Sequence, residues 1–172
     1  MEEYKGVKFP FDLIDGEIPE KEKQKFLELD RKLGAFINPE ENEGNLSMRL
    51  TNGFLIKGAG AIMTRLSAEE VSMVISINEK VIASGAVPSS EARMHYEIYK
   101  AQPKAKIILH FHDKDLLGRF DGPSIGPFDY GTEELAVAAG KINEKMFMIK
   151  EHGFVIIARD EEELFRLIRW KR

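Results

Sequence analysis

The apolar positions of this chain switch repeatedly between a spacing of three to four and strict alternation, and the switches mark its elements. Phe26, Leu29, Leu33 and then Phe36 or Ile37 form a helical stripe. Pro19, Glu20 and Glu22 open that helix, and Asn38-Pro39 closes it. Residues 46–51 and 54–57 alternate on either side of Asn52-Gly53, the pattern of a β-hairpin. Ser67-Ala68-Glu69-Glu70 is a capping box that opens a short helical turn. Residues 71–77 and 81–83 predict a second strand pair, joined through Asn78-Glu79-Lys80.

The second half repeats the alternation of helix and strand. A helix starts at Pro88-Ser89-Ser90-Glu91 and runs to Gln102, where Pro103 stops it. Residues 107–111 read as a buried strand and 113–120 as a short helix, followed by a turn-rich loop through Pro123 and Pro127. Gly131-Thr132 caps a helix whose apolar face is Leu135, Ala138, Ala139 and Ile142. Apolar strands at 147–149 and 154–157 flank Glu151-His152-Gly153, and Asp160 caps a last helix with Leu164, Leu167 and Ile168 on one face. Short connections between mixed elements predict one α/β or α+β domain over residues 1–172, with 1–19 as an irregular arm. The two hairpins make the sheet at least partly antiparallel.

Composition narrows the function. The 172 residues suit one domain with a sizeable core, and 43% hydrophobic with 31% charged residues is ordinary for a soluble protein. A net charge of −4 argues against nucleic acid as a partner, because that binding needs a concentrated basic surface. The cluster Arg166, Arg169, Lys171 and Arg172 reads instead as cations suited to a helix C-terminus. No run approaches the roughly 20 apolar residues that span a bilayer, and the acidic start with Pro10 and Pro19 is unlike a signal peptide. A cytoplasmic protein with no membrane role is expected. The absence of cysteine excludes disulfides, thiolate ligands and thiol nucleophiles, so any transition metal must be held by His, Asp or Glu.

The chemistry is concentrated in the four histidines. His110 and His112 lie two apart in a strand and therefore share one face, while Phe111 points the other way. A metal that keeps one position open for substrate takes three protein ligands, and His152 on its turn can supply the third. The bland alternative is a pair of half-buried structural histidines. Ser89 and Ser90 at a helix start offer hydroxyls and N–H groups to an anion such as phosphate. Glu91 in the first turn is either an acid/base or an acid placed for the helix dipole. His95, one turn further on, is either its partner or a packing residue. Gly44-Asn45-Leu46-Ser47 and Gly58-Ala59-Gly60 add two more loops able to approach phosphate closely.

Five stretches occur together in one order: Gly44-Asn45-Leu46-Ser47-Met48-Arg49, Ser89-Ser90-Glu91-Ala92-Arg93-Met94-His95, Ile107-Ile108-Leu109-His110-Phe111-His112, Tyr130-Gly131-Thr132-Glu133-Glu134-Leu135-Ala136 and Glu151-His152-Gly153. Over about residues 20–165 the chain thereby resembles the class II sugar-phosphate aldolase/adducin family. The resemblance implies zinc held by His110, His112 and His152, with cobalt, nickel and manganese also accepted by such a donor set. It implies Glu91 as the catalytic acid/base, able to touch the metal, and Asn45, Gly60, Ser89 and Ser90 as phosphate-binding positions. The implied fold is a three-layer αβα domain with a largely antiparallel central sheet, assembled as a homotetramer with sites at subunit interfaces. The implied reaction is that of an aldolase, a lyase that breaks or forms a C–C bond of a small sugar phosphate through a zinc-stabilised enediolate. Glutamate at position 91, where epimerase relatives carry aspartate, favours a lyase.

Three departures matter. Lys57-Gly58-Ala59-Gly60 replaces the family's Thr-Pro-Ser/Thr-Gly loop, so Ala59 brings no hydroxyl. The segment between His112 and Gly131 is short, and Pro127 stands where members carry an active-site tyrosine. The sequence also stops at Arg172, soon after His152, which predicts a different substrate choice. The alternatives are a dehydratase of the methylthioribulose-phosphate type, and a non-catalytic adducin-like oligomerisation module.

Overall fold

Nine strands form one sheet in the order β1-β5-β4-β3-β2-β6-β9-β8-β7 in a computed structural model that describes residues 6–169. The strands are β1 (Phe11–Leu13), β2 (Asn45–Arg49), β3 (Phe54–Lys57), β4 (Val71–Ile77), β5 (Val81–Gly85), β6 (Ile107–Phe111), β7 (Ser124–Ile125), β8 (Met146–Ile149) and β9 (Gly153–Ala158). The helices are α1 (Glu20–Leu33), α2 (Ala92–Ala101), α3 (Lys114–Leu117), α4 (Glu133–Gly140) and α5 (Glu161–Arg169). Every pairing from β5 across to β8 is antiparallel, and the outermost pairs, β1 with β5 and β7 with β8, are parallel. Among the described residues no helix is long and apolar enough to cross a membrane.

Both faces of the sheet are covered. Phe26, Leu29 and Leu33 of α1, Leu116 of α3, and Leu164 and Ile168 of α5 pack with Leu46, Leu109, Phe111 and Phe154 on one face. Met94 and Ile98 of α2 and Leu135 and Ala139 of α4 pack with Ile108, Phe147, Val155 and Ile157 on the other. Adjacent residues of β6 thus feed opposite cores, as the two-residue period requires, and the strand is buried along its whole length. This is the expected three-layer arrangement with a largely antiparallel sheet.

The hairpin between β2 and β3 follows from its glycine. Gly53 has φ +83, and a Cβ there would lie 1.9 Å from the Val74 carbonyl oxygen of the next strand. Gly53→Ala is expected to destabilise the fold by roughly 2–4 kcal/mol, read as a lower urea midpoint with an unchanged slope. An unchanged midpoint would mean the turn is not held against β4.

Several boundaries differ from the sequence expectation. The arm is not irregular throughout, since Phe11–Leu13 joins the sheet beside β5, where three residues are too few to show a period. The first helix ends at Leu33 rather than at Asn38, and Phe36 and Ile37 follow in a turn. Glu91 caps α2 instead of lying in its first turn. The capping box forms as read, with both reciprocal bonds, on the 3-10 turn Ala68–Glu70. Of the C-terminal basic cluster, Arg166 pairs with buried Glu163 at 3.3 Å, Arg169 lies over the Phe36 ring, and Lys171 and Arg172 fall outside the described residues.

Candidate metal centre

β6 enters the sheet between β2 and β9, and its C-terminal end sets the position of the histidines. His110 is paired with Asn45 on one side and Val155 on the other, and it is fully buried. Its Nδ1 donates to the Phe154 carbonyl at 3.0 Å, which leaves Nε2 as a bare lone pair. That lone pair faces His112 Nε2 at 3.1 Å. The turn before β9 brings in His152, so that one nitrogen from each of the three rings lies within 4.8 Å of the others. The rings meet edge to face, with centroids 4.9–5.0 Å apart.

The turn sequence explains how a third ring fits. A Cβ at Gly153 would lie 2.8 Å from His112 Cδ2 and 3.0 Å from His110 Cε1. Glycine after His152 is therefore what allows the rings to converge. Glu151, just before it, takes φ +62 to complete the turn.

Electrostatics keep two rings neutral. Burial, then the His152 and His112 rings, push His110 well below the ordinary histidine range. Burial and His152 lower His112 in the same direction, against the opposing pull of Glu43 and Glu91. Neutral imidazoles with converging lone pairs are what a divalent cation requires. The donor set therefore fits a metal ion.

Glu91 lies against the same centre. Its Oε2 is 3.3 Å from His110 Nε2 and its Oε1 is 3.5 Å from His152 Nε2. Asn45 Nδ2 donates to Oε2 at 2.8 Å, whereas Oε1 is buried with no hydrogen-bond partner. His95 is completely buried, and it reaches Glu91 through Asn45.

The phosphate-loop candidates are gathered beside this centre. Gly58 bridges to Pro88, Ala59 N–H donates to Val87, and Ser89 N–H donates to Lys57. Gly60, Ser89 and Ser90 consequently line one cleft of about 1230 Å³ together with Glu91, His112 and His152. Asn45 also lines it, but its side-chain amide is engaged by Glu91 and His95. Lys57 points inward. It is buried, donates to the carbonyls of Asn42 and Ala61 at 2.8 Å, and makes no ion pair among the described residues. Burial lowers its ammonium to about 8.

Two lining residues carried no role in the sequence reading. Glu43 Oε1 lies 3.5 Å from His112 Nδ1, yet in sequence it is one more acid in a polar loop. Tyr130 borders the cleft beside Pro127 and carries Lys8 over its ring at 3.8 Å. A tyrosine next to Gly131-Thr132 was visible in sequence, but no periodicity places a loop side chain.

Residues 24–118 match the family described as Class II Aldolase and Adducin N-terminal domain. The chain is also 31% identical over 140 residues to an L-fuculose phosphate aldolase of Methanococcus vannielii, covering 71% of this chain and 76% of that one. This chain belongs to the class II aldolase and adducin family. It is 25% identical over 154 residues to a 5-methylthioribulose-1-phosphate/5-deoxyribulose-1-phosphate aldolase of Escherichia coli O45:K1, with 77% and 71% covered. Its fold matches the crystal structure of L-fuculose-1-phosphate aldolase from Thermus thermophilus with a TM-score of 0.69 at 22% identity, covering 88% and 87%. Class II aldolases generally use a divalent metal, and among the described residues the three converging histidines could bind one.

Proposed function

We propose that this family member is a zinc-dependent aldolase that cleaves or forms a C–C bond of a small phosphorylated ketose. The observation that carries the reading is the unpartnered Oε1 of Glu91, held beside three converging imidazoles in the floor of an open cleft. His110, His112 and His152 would hold the ion. When bound there, it supplies Lewis-acid polarisation of the substrate carbonyl and its neighbouring hydroxyl.

The remaining work falls to the chain's own groups. With Oε2 fixed by Asn45, the free Oε1 takes the proton of the hydroxyl whose carbon becomes the aldehyde as the C–C bond breaks, and returns it to the carbon left electron-rich. In the synthetic direction the same oxygen removes that proton. Ser89, Ser90 and Gly60 bracket the region for a phosphate, and Lys57 beneath them provides an unneutralised positive charge. That cation offsets the hydroxyl missing at Ala59. Burying it costs stability, which is the pattern expected of a group retained for binding. Lys57→Met is therefore expected to raise KM for a phosphorylated ketose by about tenfold or more, with a smaller change in kcat. An unchanged KM would remove Lys57 from substrate binding.

The direct test offers metal-loaded protein L-fuculose 1-phosphate and 5-deoxyribulose 1-phosphate and follows the products by NMR. Release of an aldehyde with a three-carbon ketone phosphate supports the aldolase. Loss of water with the carbon chain intact supports the dehydratase. No turnover of either compound by fully metal-loaded protein would sink the lyase reading. We read the single domain as working in a homotetramer, for which light scattering should give four times the 19.6 kDa chain mass.

A further inference from the structure

Behind Glu91 lies a row of buried polar groups that the proposed chemistry does not itself require. Asn45 Nδ2 is 2.8 Å from Glu91 Oε2, and Asn45 Oδ1 is in close contact with His95 Nε2. His95 Nδ1 is 2.6 Å from Ser47 Oγ, which is 2.9 Å from the Tyr99 hydroxyl. All five side chains are buried. They come from two elements only, β2 and the start and body of α2, so the row runs along the seam where that helix lies on the sheet.

One constraint at the end of the row orders every link. A carboxylate oxygen only accepts, so Asn45 must offer Glu91 its NH₂. Its carbonyl oxygen then faces His95, which must donate from Nε2. That leaves His95 Nδ1 bare, so the Ser47 hydroxyl donates to it. Ser47 Oγ can then only accept, and at 2.9 Å it takes the single Tyr99 hydroxyl proton in preference to the Lys106 carbonyl at 3.3 Å. Burial holds the His95 imidazole down at about 4, so it stays neutral and keeps one donor and one acceptor.

We infer that Asn45, His95, Ser47 and Tyr99 form a one-directional hydrogen-bond chain that fixes Glu91 by Oε2 and so leaves Oε1 as its single free oxygen. They are positioning residues, and Asn45 is thereby assigned to the acid/base rather than to phosphate. The inference rests on the reading of Glu91 as the proton-transfer group. Reversing any link reverses all of them, ends the chain on the Lys106 carbonyl, and requires a proton on the Glu91 oxygen that faces Asn45.

The test uses metal-loaded, ¹⁵N-histidine-labelled protein. The expected NMR signature of His95 is a protonated Nε2 and a bare Nδ1. In Asn45→Ala, kcat for the cleaved ketose phosphate is expected to fall by about ten- to a hundredfold with KM and bound metal unchanged. Protonation of His95 at Nδ1 would overturn the chain, as would a raised KM at unchanged kcat in Asn45→Ala. The tautomer is read without turnover, so the two readings fail separately. An Nε2-protonated His95 in a protein that cleaves nothing keeps the chain and ends the lyase, whereas an Nδ1-protonated His95 in an active aldolase does the reverse.

Discussion

Replacing His110 with alanine is expected to strip the protein of its metal. Elemental analysis of untagged wild-type protein should give about one divalent ion per chain, held by three imidazoles whose nitrogens converge within 4.8 Å. His110 is the decisive position because it is wholly buried and its tautomer is set by the Phe154 carbonyl, so its lone pair cannot turn away. Truncating it removes a ligand and opens a void that water enters beside His112 and Glu91. Metal content should fall to near zero and C–C cleavage with it. Because ligands of this kind couple binding to folding, the wild type should also lose thermal stability on chelation, and the variant should show no such shift. Wild-type protein that takes up no stoichiometric metal after reloading would remove the basis of the lyase and promote the adducin-like module. Retention of the ion by His110→Ala would move the centre elsewhere.

Glu91→Gln should separate metal binding from chemistry. Glutamine has nearly the same shape and its oxygen can still accept from Asn45, so the fold and the three imidazoles should be undisturbed. What disappears is the basic oxygen at Oε1. A positioned acid/base contributes about 10²–10⁴-fold, so kcat should fall by that range while bound metal stays near one ion per chain. A variant with wild-type kcat would mean that Glu91 only caps α2, the role its N-cap position would give it in an ordinary helix. A variant that also loses its metal would make Glu91 a permanent ligand.

Much of this was legible in the sequence, because the strands that carry the site have strong signals. The alternation in β2 and β3 around Asn52-Gly53, and the apolar run of β6, are local patterns that survive tertiary context. The two-residue period then gives the shared face of His110 and His112 and the opposite face of Phe111, which the structure packs on Phe154. The approach of His152 depends on the antiparallel pairing of β6 with β9 and on the room left at Gly153, and neither is readable from spacing. Asn45 shows another limit. Its place in a Gly-Asn loop suits phosphate, but only the packing of β2 against α2 turns its amide toward Glu91. Lys57 gave no direction in sequence, since in a strand buried on both faces either orientation satisfies the pattern. Phe11–Leu13 escaped because a three-residue edge strand is held by its neighbour rather than by its own composition.

His110 stands on a central strand with His112 just past its end, and His152 stands on the turn that begins the strand beside it. About half of the wall around them comes from three loops, at residues 40–44, 59–60 and 127–132. A sheet tolerates little change at its centre, while loops accept new lengths and side chains at small thermodynamic cost. On the proposed reading, reactivity and selectivity are therefore built into parts of the chain that can be altered independently. Exchanging residues 126–132 for another loop should change which ketose is accepted and leave the bond that is broken the same.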